Sequence, residues 1–194
     1  MSATERLLGR EELRALLIEL GRRCAAKGLE VEMYVVGGAA MALAHGRSRM
    51  TRDIDAVFEP KMGVYEEARL MAADLDLPPN WLNDGMKGLL PDVPDPGSTL
   101  VLVSEGISVS VASPEYLFAM KAAAARLERD APDLLALTKE LNIASADQAL
   151  ALVERFYRRA RLHVRTSLFL QSLLDISPGG PGSMPDPQGP SLTD

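Results

Sequence analysis

YVVGGAAMALAHGRSRMTRDIDAVF, residues 34–58, is the stretch on which the architecture turns. Val31 to Val36 is a short run with β-branched residues that stops at Gly37-Gly38, which reads as a buried strand entering a tight turn. Ala39 to Ala44 then reads as helix. After a basic loop, Asp53 to Phe58 alternates acidic and apolar side chains until Pro60 closes it, as a second strand does. Glycines at a strand end remove side chains where backbone must approach something closely, and the helix that follows attracts anions to its N-terminus. Asp53 and Asp55, at i and i+2 of a strand, point to one face about 6 to 7 Å apart. Two like charges there are costly unless they share a cation, and a hard divalent ion such as magnesium prefers such oxygen ligands.

Outward from this stretch, leucines at helical spacing (Leu7, Leu8, Leu13, Leu16, Leu17, Leu20) predict an amphipathic helix over 2–26, with Gly28 as its stop. A helix is expected from Val64 to Leu75, and mostly loop from Pro78 to Gly97. Strands are expected at Thr99 to Val103 and Ile107 to Val111, a hairpin about Gly106. Ser113-Pro114-Glu115 is a helix start, since Ser caps, Pro is tolerated at the first position and Glu favours the positive helix end. That helix is expected to reach Arg129, with further helices from Asp133 to Leu141 and from Asp147 to Leu174. From Ser177 on, Pro and Gly dominate and the tail is expected to be disordered. The expected class is α+β, a small mixed sheet with an appended C-terminal helical lobe. Its parts are a core over 1–112, a lobe over 113–176 packed on it, and a tail over 177–194. The strand–helix alternation of a doubly wound dinucleotide fold is missing, as are GxGxxG and the phosphate loop ending in GKS or GKT.

The composition narrows the chemistry. Twenty-seven acidic residues against 21 Lys and Arg leave a net charge of −6, which argues against a wholly basic nucleic-acid module. With Cys24 as the single thiol, neither an intrachain disulfide nor a Cys-based zinc site can form, and the cytoplasm is the expected compartment. No apolar stretch reaches the length of a membrane span. His45 and His163 lack metal-ligand spacing and read as structural or exposed. The arginines at 155, 158, 159, 161 and 165 make the last helix basic, a face suited to RNA phosphates and equally to solvent.

The Gly-Gly turn, a helix-length gap and a strand carrying Asp-Ile-Asp together resemble the DNA-polymerase-beta-type nucleotidyltransferase superfamily. Arg49-x-Thr51-x-Asp53-Ile54-Asp55 looks particularly like its AbiEii-like branch, which includes toxin components of toxin–antitoxin pairs. SPEYLFAMKAAAARLERDAPDL, residues 113–134, is similar to a helix of that branch, and WLNDGMKG, residues 81–88, to a segment of related bacterial proteins. The resemblance covers about residues 30–140. It implies magnesium as cofactor and transfer of a nucleoside monophosphate from a nucleoside triphosphate to a hydroxyl of tRNA or of a protein, with a cognate partner protein in prospect.

On that match Asp53 and Asp55 bind the metal, and Gly37, Gly38, Arg49, Thr51 and Arg126 hold the nucleotide. Lys121 neutralises charge, and Asp130 and Asp133 brace the site. Spacing alone would leave Lys121, beside Ala122 to Ala125, on the surface. The third carboxylate of the family belongs on a strand next to the pair, where ISVSVAS, residues 107–113, offers only Ser108 and Ser110. Glu105 and Asp84 are the candidates to replace it. Its absence supports an alternative, a catalytically degenerate binding or antitoxin-like regulatory module.

Overall fold

The computed structural model describes residues 6–44, 50–158, 162 and 164–175. The chain runs α1 (Arg10–Ala26), β1 (Val31–Val36), α2 (Gly37–Ala44), β2 (Ile54–Glu59), α3 (Lys61–Asp74), β3 (Leu82–Asn83), a 3-10 turn (Gly85–Leu89), β4 (Thr99–Ser104) and β5 (Ile107–Val111). Helices α4 (Pro114–Ala124), α5 (Leu127–Glu140), α6 (Ala146–Phe156) and α7 (Val164–Asp175) complete it. The five strands form one mixed sheet in the order β3-β2-β1-β5-β4. β1 is antiparallel to β2 and parallel to β5, β3 is parallel to β2, and β4 is antiparallel to β5. The protein is therefore α+β, with the sheet in its first part and, among the described residues, helices as the only regular elements from Pro114 onward.

Alternation decides which face of the sheet is dry. Val31, Met33 and Val35 on β1, Ile54, Ala56 and Phe58 on β2, and Ile107, Val109 and Val111 on β5 are all buried, and α1 packs against this sheet and α3. The opposite face carries Asp55, Val57 and Glu59 of β2 in register with Val36, Tyr34 and Glu32 of β1. Close approach of α1 depends on Gly21, where a Cβ would fall 2.3 Å from Ile107 Cγ2. Among the described residues, no helix is long and apolar enough to cross a membrane.

Several boundaries differ from expectation for local reasons. α1 starts at Arg10 because Leu8 is taken by backbone hydrogen bonds with Thr51, given and received. The helix after β1 starts at Gly37 itself, so the Gly-Gly turn is the first turn of α2. The segment expected as loop, 78–97, contributes β3 and the 3-10 turn, anchored by buried Trp81, whose indole donates to the Ala68 carbonyl at 2.9 Å. The helix expected from Pro114 to Arg129 breaks at Ala125, which adopts φ 47°. Its start is as expected, with Ser113 Oγ accepting from the Tyr116 amide. The expected last helix is two, α6 ending at Phe156, after which Tyr157 donates its hydroxyl to the Leu89 carbonyl at 2.6 Å. The tail after Ser177 lies outside the described residues, as do Arg49, His45 and His163.

Candidate functional site

Gly37 takes φ +66°, a conformation that side chains with a Cβ rarely adopt. A Cβ at Gly37 would lie 3.2 Å from Asp55 Oδ2, and one at Gly38 would lie 2.9 Å from Thr51 Oγ1. The two glycines thus pack directly against the residues at the far end of the same motif. Antiparallel register explains the meeting, because Val36, the last residue of β1, pairs with Asp55. Thr51 donates its hydroxyl to the Asp53 carbonyl at 3.1 Å, which shapes the entry into β2. β2 starts at Ile54, so Asp53 stands just ahead of the strand and Asp55 within it.

One cleft of about 240 Å³ gathers most of the expected residues. Gly37, Gly38, Thr51, Asp53 and Asp55 form one wall, and Lys121, Arg126 and Asp130 of the helical part form the other. On a single continuous helix Lys121 and Arg126, five residues apart, would point about 140° from each other. The left-handed residue Ala125 ends α4 and redirects the chain, so both side chains reach the same cleft. Burial and the adjacent Asp53 charge hold the Asp55 carboxyl above the usual carboxylate range, opposed by hydrogen bonding from Asn83 and by the charges of Arg129 and Arg126. A cation between the two carboxylates would relieve that repulsion.

Lys121 is not the surface side chain that spacing alone suggested. Its ammonium is buried and lies 3.1 Å from Asp130 Oδ1 and 2.8 Å from Asp133 Oδ2. Arg126 Nε reaches the second oxygen of Asp130 at 3.1 Å. Two cations and two carboxylates therefore close a network that joins α4 to α5, with Asp133 bracing Lys121 from outside the cleft wall.

The two substitutes for a third carboxylate are placed elsewhere. Glu105 sits in the β4–β5 turn, where Gly106 packs on α1, at the end of the sheet opposite Asp55. The intervening length of β1 is about 16 Å. Asp84 accepts from the Tyr65 hydroxyl at 2.6 Å and pairs with the Lys61 ammonium, and both partners hold its carboxyl below the usual range. On β5, Ser110 pairs with Tyr34 and Ser108 with Glu32, in a separate depression that also contains Glu59. Just past the end of β5, the residue nearest the level of Asp55 is buried Ala112, which carries no polar side chain. Among the described residues no group of three or more His, Cys, Asp or Glu is placed to hold a metal.

The structure adds residues that sequence reasoning passed over. Asn83, register partner of Asp55 on β3, accepts from the Gly85 amide at 2.9 Å while its side chain lies against Asp55. It stands within WLNDGMKG, but its role depends on a strand two residues long, too short to leave a periodic signal. Gly85, Met86, Leu117 and Met120 also line the cleft, and Arg129 of α5 lines it beside them. Arg129 could have been found as the i+3 neighbour of Arg126, had the helix break been legible.

The sequence matches no protein-family profile, and no curated protein matches it. Among solved structures, that of an antigenic nucleotidyltransferase-like protein from Paracoccidioides brasiliensis superposes with a TM-score of 0.39 and 16% identity, over 86% of this chain and 96% of that one. At that level of superposition the likeness decides nothing about this chain.

Proposed function

We propose that the cleft binds a nucleoside triphosphate with magnesium and transfers its nucleoside monophosphate to a hydroxyl of RNA or protein. The observation that carries the reading is the convergence of Gly37-Gly38 and the Asp53/Asp55 pair on one wall with a cationic wall formed by Lys121, Arg126 and Arg129. Phosphoryl transfer needs positioning and charge neutralisation more than covalent help, and these are the groups that supply both.

The donor set suits one divalent ion, for two carboxylates offer oxygen ligands, and Asn83, Arg126 and Arg129 offset their cost only in part. Asp53 and Asp55 would hold it, and magnesium would supply charge neutralisation on the triphosphate. The backbone amides at Gly37 and Gly38, at the N-terminus of α2, would donate to phosphate oxygens. Thr51, Arg126 and Lys121 flank that position. The acceptor oxygen bonds to the α-phosphorus as the bond to the bridging oxygen breaks. Pyrophosphate leaves with the electron pair, and the hydroxyl proton passes to solvent. By the AbiEii-like resemblance, the setting is a toxin–antitoxin pair with a cognate partner protein.

A second reading, a nucleotide-binding regulatory module without turnover, is favoured by two placements. Asp84 is held by Lys61 and Tyr65, and Lys121 is already neutralised by Asp130 and Asp133. The test incubates the protein with magnesium, each labelled nucleoside triphosphate and total RNA or protein. Label transfer that disappears in Asp53→Ala and Asp55→Ala supports the enzyme. Nucleotide binding without transfer selects the module, and transfer that survives both changes removes these carboxylates from the mechanism.

A further inference from the structure

We infer that Arg129 is a phosphate-contacting residue seated where two cavities meet, and that it presents the first cavity's unpaired positive charge to an incoming phosphate chain. The inference rests on the nucleotidyl-transfer reading. Beside the cleft lies a second cavity, of about 580 Å³, walled by Leu7, Met50, Pro78 and Arg52. The two share Thr51, Asp53 and Arg129, so the metal-binding carboxylate, the threonine and one arginine stand at their junction. A group passing from a donor in the first cavity to an acceptor entering by the second crosses that junction.

Of the three cations in the first cavity, two are committed. Lys121 is bound by Asp130 and Asp133, and Arg126 by Asp130. Among the described residues no carboxylate forms an ion pair with Arg129, whose side chain is exposed and acts on Asp55 only through its field. Phosphate binding at Lys121 or Arg126 competes with a buried aspartate, whereas at Arg129 it displaces water alone. A guanidinium also presents several donors in a planar fork suited to phosphate oxygens.

Calorimetry with inorganic pyrophosphate plus magnesium, and separately with each nucleoside triphosphate, tests the assignment on the full chain, Arg129→Ala and Arg129→Lys. A charge-assisted contact predicts a loss of about 10- to 100-fold in both affinities for Arg129→Ala, partial recovery in Arg129→Lys, and an unchanged thermal midpoint. Native affinity for both ligands in Arg129→Ala overturns the assignment and leaves the nucleotidyl-transfer reading standing. Pyrophosphate binding that depends on Arg129, in a protein that binds no nucleotide, upholds the assignment and removes that reading. A native chain that binds neither ligand overturns both.

Discussion

Gly37 and Asp55, eighteen residues apart in the chain, stand so close that a Cβ on the glycine would lie 3.2 Å from the carboxylate oxygen Oδ2. The glycine is required twice, by its φ of +66° and by this contact. Gly37→Ala is expected to cost about 1 to 2 kcal/mol from the left-handed backbone alone. It should also turn the Asp55 carboxylate and weaken magnesium-dependent nucleotide binding. Urea unfolding and calorimetry check the two effects separately, and an alanine variant of native stability would contradict this account of the turn.

The raised proton affinity of Asp55, caused first by burial and then by Asp53, has a definite sign in stability. A carboxyl whose folded pKa exceeds its unfolded value stabilises the fold below the unfolded value and loses that contribution as pH rises through the folded one. Asp55→Asn is therefore expected to raise the thermal midpoint at neutral pH, with the gain vanishing once the native carboxyl is protonated. Magnesium should raise the midpoint of the native chain and leave that of the variant unmoved. A variant less stable than the native chain at pH 7 would refute the strain assigned to this pair.

Lys121 is the sole cation bonded to both Asp130 and Asp133 among the described ion pairs. Removing one partner of a buried ionic network leaves the others uncompensated, at a cost of about 3 to 5 kcal/mol. Lys121→Met should lose that much in denaturant unfolding. Lys121→Met combined with Asp130→Asn and Asp133→Asn should recover a large part of it. Failure of the triple variant to recover would mean that Lys121 stabilises by packing rather than by charge.

Cys24 is fully buried on α1, and its thiol is pushed up to about 11, by burial first and by Glu67 second. It should resist a thiol reagent at pH 8 in the folded protein and react on unfolding. Because the folded value lies above the unfolded one, this thiol contributes stability below about pH 9, and the contribution is lost as pH rises through 11. Rapid labelling of the native chain at pH 8 would contradict the burial.

Local chemistry made much of the sheet legible. The bounds of β1 and the hairpin about Gly106 follow from β-branched runs, period-two alternation and glycine. The cap at Ser113 follows from a hydroxyl before Pro114. The break at Ala125 left no mark, because alanine is a strong helix former and nothing in KAAAAR announces a left-handed residue. The same holds for β3, which exists because Leu82 and Asn83 find partners in Ile54 and Asp55.

Residues 31–58 by themselves specified a strand, a glycine turn, a helix and a second strand with two carboxylates at its start, Asp53 just ahead of it and Asp55 within it, since side-chain period and glycine freedom are properties of the local chain. Tertiary structure alone decided that Lys121 would be buried against Asp130 and Asp133, that Asp84 would turn to Lys61 and Tyr65, and that Arg129 would face the carboxylates. The reason is physical: a charge's partner depends on which elements the core brings together, and pairing energy falls with a distance through space that no spacing along the chain encodes.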